Sequence, residues 1–244
     1  RIAFFVAMPQ EAAGMGKLAE VKGYGRSFAL HRGQIGRCEV MVATTGMGRE
    51  AAVGATEEVL TNYPISSAVS LGFSGGTCPG LRPGDLVLCS HVLRWEAGEP
   101  VGNVACHASL LEAACSAAQA KGLTWQPGNG VTTEHLVVTR QEKANMGRAA
   151  SADVADMESY WVGRVARERG VPFLSARAVL DPQEETIPDL NRFIRTDGSW
   201  RSTASTLYFL SHPQHCSRLW PMGLASRRAS ESLGAWANAF AEQH

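Results

Sequence analysis

The chain has 244 residues, of which 45% are apolar and 19% charged, and this composition excludes an intrinsically disordered protein. Its 23 lysines and arginines equal its 23 aspartates and glutamates. A dedicated nucleic-acid binder is normally basic, so we expect no nucleic-acid partner. No run reaches the roughly 18 apolar residues of a membrane span, and no charged-then-apolar leader opens the sequence. We therefore expect one cytoplasmic domain over 1–244.

The cysteines form no recognisable metal or disulfide pattern. None stands in a C-x-x-C pair, and their spacing fits no zinc site. A chain of this length without a secretory signal favours reduced thiols over disulfides. We therefore expect free cysteines, no metal and no cofactor. The six positions are Cys38, Cys78, Cys89, Cys106, Cys115 and Cys216.

Short apolar runs alternate along the chain with stretches whose apolar residues recur at helical spacing. The runs predict strands over 2–6, 28–32, 38–44, 68–71, 86–93 and 171–180. The helical stretches cover 49–62, 107–121 and 158–169. Strands that alternate with helices predict a three-layer α/β/α domain around a central, mostly parallel sheet. The hairpin formed by the second and third strands makes that sheet mixed.

The tail, at about 187–244, differs from the rest in composition. Between 191 and 230 six arginines stand against one acidic residue, Asp197, and aromatic residues lie among them. We expect basic helices that either pack on the sheet with solvated arginines or rest on an anionic membrane, peripherally. In the second interpretation four residues form an apolar wall for a lipid-sized group: Trp200, Leu207, Leu210 and Trp220. Nearer the end, Leu233, Trp236 and Phe240 share a helical face.

Carboxylates and glycines follow the predicted strands at the points where those strands end. Glu11 follows the first strand, the glycine-rich segment 72–76 follows the strand at 68–71, and Asp181 follows the last strand. Asp156 and Glu158 open the predicted helix at 158–169. Each could serve a structural role alone, at a helix start or in a turn. Because ligands of α/β sheets bind beyond the carboxyl ends of the strands, we expect these residues to form one site.

Other glycine-rich sites are excluded or only partly matched. The sequence lacks a P-loop, and Gly46-Met47-Gly48 lacks the third glycine of a dinucleotide fingerprint. Segment 72–76 fits the letters of a nucleophile elbow with Ser74 as nucleophile, which needs a histidine and an acid later in the chain. His135 and His212 are the candidates for that histidine.

At these same positions the chain resembles the nucleoside phosphorylase and nucleosidase superfamily. The resemblance rests on six motifs in order, over residues 1 to about 182. They are AMPQE at 7–11, TGMG at 45–48, GFSGG at 72–76, PGDLV at 83–87, DMES at 156–159 and ARAVLD at 176–181. The tail from Ile194 onward is similar to that of the hopanoid-associated phosphorylases, which are thought to remove adenine from adenosylhopane.

The resemblance implies roles for three carboxylates in cleaving an N-ribosidic bond. Asp181 matches the acid that protonates the leaving purine. Glu158 matches the carboxylate that holds the ribose hydroxyls and faces the developing cation. Glu11 matches the carboxylate that orients the attacking water in the hydrolases. The resemblance also places the substrate against Asp156, Met157, Gly46, Gly48, Phe73, Ser74, Gly75, Leu136 and Val137.

The sequence indicates less clearly whether phosphate or water accepts the sugar. Ser70 stands where several phosphorylases carry a phosphate-binding arginine, so Arg49 is the nearest candidate for phosphate. Phe73 and Leu180 stand where many relatives have a small or polar residue. Glu11 favours water, whereas the tail favours the hopanoid enzymes and phosphate.

These observations predict an enzyme that releases adenine from a nucleoside. The first interpretation is phosphorolysis of lipid-linked adenosylhopane. Hydrolysis of methylthioadenosine, S-adenosylhomocysteine or futalosine is the alternative, and a non-catalytic nucleoside binder is a third. Because relatives are commonly dimers or hexamers, we also expect a homo-oligomer.

Overall fold

A computed structural model of the chain describes residues 1–21, 27–193, 195, 198 and 213–244, with side chains from 221 onward in the last stretch. The strands are β1 Ile2–Val6, β2 Leu18–Glu20, β3 Ala29–Ile35, β4 Cys38–Thr44, β5 Ser67–Gly76, β6 Leu86–Glu96, β7 Glu99–Ala105, β8 Trp125–Thr132, β9 Val154–Asp156 and β10 Phe173–Asp181. The helices are α1 Arg49–Asn62, α2 Ala108–Ala120, α3 Arg140–Ala150, α4 Ser159–Glu168 and α5 Pro213–Glu242, and Pro9–Ala12 and Asn191–Phe193 form 3-10 turns.

The sheet combines a closed circuit of strands with an open extension. β5 pairs with β10, β10 with β6, β6 with β8, β8 with β9, and β9 returns to β5. From β5 the sheet continues through β1, β4, β3 and β2. Five pairings of the described strands are parallel and five antiparallel. The predicted mixed α/β sheet is confirmed, but it is evenly mixed and not mostly parallel.

Helices cover both faces of this sheet, as the three-layer prediction requires. On one face, α2 and α5 pack their alanines and leucines against β1, β5 and β10. On the other face, α1 and α4 pack against a second set of apolar side chains from the same sheet. The smaller helix α3 packs Met146 and Ala150 on β8 and β9. Burial of these apolar surfaces is the main stabilising term of the fold.

One predicted turn is a strand. Segment 72–76 continues β5, because Gly72 pairs with Arg177 and Gly75 pairs with Asp181 across the parallel β5–β10 ladder. The strand is therefore ten residues long. This pairing places the glycine-rich segment beside the candidate acid, where a turn was expected.

The described part of the tail packs on the sheet. Leu233, Trp236 and Phe240 of α5 are fully buried, which confirms their predicted common face. Arg227 and Arg228 are exposed, and Arg227 pairs with Glu231 at 2.8 Å. Three members of the expected apolar wall, Trp200, Leu207 and Leu210, lie outside the described residues, and so does the side chain of Trp220.

The expectation of free thiols is confirmed for the five cysteines whose side chains are described. The side chain of Cys216 lies outside that set. Burial raises the pKa of Cys78 to about 11 and that of Cys106 to about 12, so both stay protonated and inert at neutral pH. Among the described helices, none combines the length and apolar composition needed to cross a membrane.

Trp236 joins α5 to α2 by a hydrogen bond and packs within α5. Its indole Nε1 donates to the carbonyl oxygen of Ala114 at 3.1 Å, and its ring stacks on Phe240 with centroids 5.0 Å apart. We expect Trp236→Ala to lower the free energy of unfolding by about 3–5 kcal/mol, measured by urea titration. Leu224→Ala is the control, since Leu224 is 48% exposed and should change stability by less than about 0.5 kcal/mol. Equal losses in the two variants would contradict the assignment.

Candidate active site

Glu11 lies in the turn after β1 and is only 2% exposed. Its Oε1 accepts from the backbone N–H of Phe73 at 2.8 Å, and its Oε2 accepts from that of Met8 at 2.8 Å. Burial raises the pKa of Glu11, against the opposing effects of these N–H groups and of the Arg177 charge. The carboxylate is therefore fixed in place and is a better proton acceptor than one in water.

Gly72 leaves room for two charged groups that approach it from different elements. A Cβ atom at this position would lie 2.7 Å from Glu11 Oε1 and closer still to Arg177 Nη1. Any side chain here would displace one of them, so the glycine serves a close approach and not a special backbone angle. The first glycine of segment 72–76 thus positions Glu11 and Arg177.

Arg177 is buried at the centre of the site. Its role was not predicted from the sequence. Its Nε lies 2.8 Å from Asp156 Oδ2, and its guanidinium also donates to the hydroxyls of Ser159 and Ser70. A guanidinium therefore does reach Ser70, from β10. This role could have been predicted from the arginine inside the apolar ARAVLD strand, because a buried charge requires partners.

Asp156 holds the start of α4 in place. Its Oδ1 accepts from Thr132 Oγ1 at 2.6 Å and from the backbone N–H groups of Glu158 and Ser159, each at 3.2 Å. With Arg177 on the other oxygen, the carboxylate of Asp156 is occupied by protein groups. Asp156 therefore holds the backbone of Glu158 and Ser159, and it also lies in the lining of the cavity described below.

Glu158 faces the turn that precedes α1. Its Oε1 accepts from the backbone N–H of Gly48 at 2.7 Å. Burial, with the nearby charge of Asp156, raises the pKa of Glu158 to about 8. Met157 lies against the same turn, with its methyl carbon 3.8 Å from where a Cβ of Gly48 would be. Gly48, Met157 and Glu158 therefore come together, as predicted.

Asp181 ends β10 and is paired with Lys143, a fully buried lysine of α3. The Lys143 ammonium donates to Asp181 Oδ2 and, at 2.9 Å each, to the carbonyl oxygens of Pro182 and Glu185. Burial raises the pKa of Asp181 to about 6, although the Lys143 charge opposes that rise. Lys143 was missed, but its spacing to Met146 and Ala150 places it on the buried face of α3.

A small cavity of about 40 Å³ joins the predicted base-binding residues. Gly75, Leu136, Val137, Met157 and Asp181 line it. The residues expected to contact the base are brought together.

The two backbone segments expected to bind the base differ in their availability. The N–H of Leu136 donates to Asn191 Oδ1 at 2.7 Å, and its carbonyl oxygen accepts from Asn191 Nδ2 at 3.1 Å. Val137 makes no backbone hydrogen bond within the described ranges. Of the pair, Val137 therefore offers the open donor and acceptor, and Leu136 is held by Asn191.

The remaining predicted residues are Gly46, Phe73 and Ser74, and they have different surroundings. Gly46 adopts φ +91° beside Gly198, and Phe73 is buried, with its N–H on Glu11. The Ser74 hydroxyl donates to the carbonyl oxygen of Ala178 at 3.3 Å. Of the histidines proposed to activate it, His135 is largely exposed and lies beside Glu142, and His212 is outside the described residues. The structure thus gives no support to Ser74 as a nucleophile.

No group of three His, Cys, Asp or Glu side chains that could hold a metal ion occurs in the described part of the chain.

The fold and this set of buried carboxylates define an enzyme of the nucleoside phosphorylase and nucleosidase class. The family model of the Phosphorylase superfamily matches residues 1–207, and the chain belongs to that superfamily. The 5'-methylthioadenosine/S-adenosylhomocysteine nucleosidase of Shewanella denitrificans is 27% identical over 177 residues, covering 66% of this chain and 77% of the relative. Its counterpart from Colwellia psychrerythraea is 26% identical over 193 residues, covering 71% and 79%.

Solved structures share the whole fold. The 5'-methylthioadenosine/S-adenosylhomocysteine nucleosidase of Neisseria meningitidis in complex with methylthio-immucillin-A superposes with a TM-score of 0.77 at 18% identity, over 100% of this chain and 99% of that one. Futalosine hydrolase of Helicobacter pylori strain 26695 gives a TM-score of 0.76 at 13% identity, over 100% and 97%. The family match confirms the predicted superfamily, and the solved structures confirm the predicted fold.

Lys143 makes a testable contribution to the pKa of Asp181. In Lys143→Met the ammonium that lowers the pKa of Asp181 is gone, so this pKa should rise above about 6 and the proton-donor form should persist to higher pH. We expect the descending limb of the kcat/KM profile to move to higher pH. We also expect kcat to fall about ten- to a hundredfold as Asp181 loses its anchor. The exposed Lys121→Met should change neither, and an unmoved limb in a folded Lys143→Met would disprove the coupling.

Proposed function

We propose that this enzyme hydrolyses the N-ribosidic bond of a purine nucleoside, with Asp181 as acid, Glu158 facing the sugar and Glu11 orienting water. One observation carries the proposal: three buried carboxylates are held by backbone or ammonium donors around one edge of the sheet. Glu11 and Asp181 both flank segment 72–76, and Glu158 reaches the turn at Gly48. Burying three carboxylates is costly even when they have partners. A protein that only binds a nucleoside has no need of all three.

The proposed reaction starts with departure of the base. The bond between ribose C1 and the purine nitrogen breaks, and its electron pair leaves with the purine. Asp181 donates its proton to the imidazole-ring nitrogen of the base, which makes adenine a neutral leaving group. The raised pKa of Asp181, about 6, allows this carboxyl to hold a proton far closer to neutral pH than an ordinary aspartate can.

The sugar then carries positive charge, which Glu158 faces. Burial raises the pKa of Glu158 to about 8, so its ionised form is costly in the empty site, and Glu158 enters the reaction as the carboxylate after releasing its proton to solvent. The cation at the sugar favours its ionised form, so their attraction is greatest in the transition state and raises the rate. Water adds to C1 and passes a proton to Glu11, which completes the balance of one proton given and one received.

Water is favoured over phosphate by the surroundings of Glu11. Its two oxygens are fixed by Phe73 and Met8, and Arg177, the nearest guanidinium, is already committed to Asp156, Ser159 and Ser70. The curated relatives are named nucleosidases, and one structural neighbour is named a hydrolase. We therefore propose methylthioadenosine, S-adenosylhomocysteine or futalosine as the substrate class.

The proposal is tested by assaying release of the base from these three nucleosides, with and without phosphate at constant ionic strength. Hydrolysis predicts free adenine from the two adenine nucleosides, or free hypoxanthine if futalosine is the substrate, together with a free reducing sugar. The rate should not depend on phosphate. Ribose 1-phosphate products and a strict requirement for phosphate would overturn water as acceptor. Tight binding of all three nucleosides without any free base would instead identify a binding protein.

Phosphorolysis of adenosylhopane stays a prediction, as do membrane contact and homo-oligomerisation. A long-tailed substrate needs a groove beside the site. One of about 480 Å³ is lined by Leu180, Ile187, Met222, Leu224 and Arg228, among others. This groove shares Asp181 and Ile187 with the base cavity, so the two adjoin. Cleavage of a long-tailed adenine nucleoside in preference to methylthioadenosine would favour the hopanoid interpretation.

A further inference from the structure

Three arginines surround one buried indole on the side of the molecule formed by α1, β6 and α4. The guanidinium carbon of Arg49 lies 4.5 Å from the centroid of the Trp161 ring, that of Arg94 5.1 Å and that of Arg164 5.7 Å. Trp161 is 3% exposed. We name Arg49, Arg94 and Arg164 the arginine cluster. Cation–π attraction holds each one at the ring, so three positive charges lie around one indole.

The charge of the arginine cluster is only partly balanced. Arg94 pairs with Glu96 at 2.5 Å, and Arg164 pairs with Glu168 at 3.1 Å. Arg49 has no acidic partner within 4.0 Å among the described residues. Three arginines against two glutamates leave one positive charge.

Two donors in the cluster are also unsatisfied. The Nε atoms of Arg94 and Arg164 are buried and have no hydrogen-bond partner in the described structure. An orphaned buried donor is costly, more so on a charged group, and such groups are rare in native proteins. The side chains of Arg94 and Arg164 are still 23% and 30% exposed, and Arg49 is exposed, so a small ligand can reach the cluster.

We infer that the arginine cluster is a binding site for a phosphate-class oxyanion. Guanidinium groups present forked N–H donors that match the oxygens of phosphate, and the exposed parts of these side chains could donate to such an anion, which would supply the missing negative charge. This site goes beyond the proposed hydrolysis, which uses none of these three residues.

The arginine cluster is one helical turn from the sugar-side carboxylate. Arg49 follows Gly48, whose N–H binds Glu158, and the N–H of Trp161 donates to the Glu158 carbonyl oxygen at 2.9 Å. Two sources of the oxyanion are compatible with this position. One is inorganic phosphate that serves as acceptor, and the other is a phosphate group carried by a larger molecule.

Calorimetric titration of the nucleoside-free protein with inorganic phosphate, at constant ionic strength set by chloride, tests the site. We expect saturable binding that weakens at least about tenfold in Arg94→Gln and in Arg164→Gln, since each removes a charge-assisted hydrogen bond. Arg94→Lys keeps the charge but loses the fork, and should also bind less well. Arg227→Gln is the matched control: Arg227 is exposed and paired with a glutamate one turn away, and its loss should leave affinity unchanged.

Three results would overturn the site: no saturable binding, equal affinity in wild type and in the Arg94→Gln, Arg164→Gln double variant, or an equal loss in Arg227→Gln. A purely structural cluster would lower the unfolding midpoint of the variants without changing their phosphate affinity. Repeating the activity assay separates the sources. Phosphate-dependent turnover that yields ribose 1-phosphate identifies the acceptor, whereas binding without an effect on products indicates a phosphate carried by another molecule. Because binding is measured without nucleoside, failure of the proposed hydrolysis leaves this test intact.

Discussion

Replacing Asp181 by asparagine is expected to lower kcat/KM for adenine release by at least about a hundredfold, within the range that general acids contribute. Asparagine keeps an oxygen that can accept from Lys143, so the anchor of the side chain survives while the transferable proton is lost. The limb of the pH profile that Asp181 imposes, at about 6, should disappear. Initial rates of adenine release across pH 5–9 measure both effects.

The control for this variant is Glu184→Gln, an exposed carboxylate three residues further along the chain. It should retain wild-type rates and the wild-type pH profile. Near-normal turnover in Asp181→Asn would show that another group protonates the base. A fall of equal size in both variants would assign the effect to segment 182–185 as a whole.

The second large effect is expected from Glu158→Gln. Glutamine retains an oxygen for the N–H of Gly48, so the geometry is kept while the negative charge facing the sugar is removed. We expect kcat to fall about 100- to 1,000-fold, the scale of losing one group that stabilises transition-state charge. KM should change far less, because the attraction develops only as the cation forms.

Steady-state kinetics of Glu158→Gln are to be compared with those of Glu57→Gln, which changes an exposed glutamate of α1. The control variant should match wild type. A rise in KM at constant kcat in Glu158→Gln would mean that Glu158 contributes uniform binding and does not stabilise the transition state.

The predicted elements were most accurate where one physical signal dominates. The buried apolar runs of β1 and β4 and the alanine-rich helix α1 were predicted to the residue, because burial and periodicity agree there. β8 was missed because Pro127 and two glycines weaken its strand pattern. The strand exists because β6 and β9 pair with it on either side, and that is tertiary information.

In the candidate site, too, local sequence predicted some residues, whereas others depend on tertiary contacts. The carboxylates could be predicted because they follow strand ends and stand in short motifs. Lys143 and Asn191 could not, since each acts through a partner 38 or 55 residues away, and no local pattern marks a lysine that will face an aspartate. Arg177 lies inside a quoted motif, yet its role follows only from Asp156 and Ser159 on the neighbouring elements.

Mass spectrometry of the sugar product after turnover in ¹⁸O-enriched water, with phosphate present, tests the central proposal most directly. If Asp181, Glu158 and Glu11 hydrolyse the N-ribosidic bond, the sugar must carry one ¹⁸O atom at C1. Adenine, or hypoxanthine from futalosine, must form in equal amount. A sugar without the label, recovered as its 1-phosphate, would contradict water as the nucleophile and with it the role assigned to Glu11.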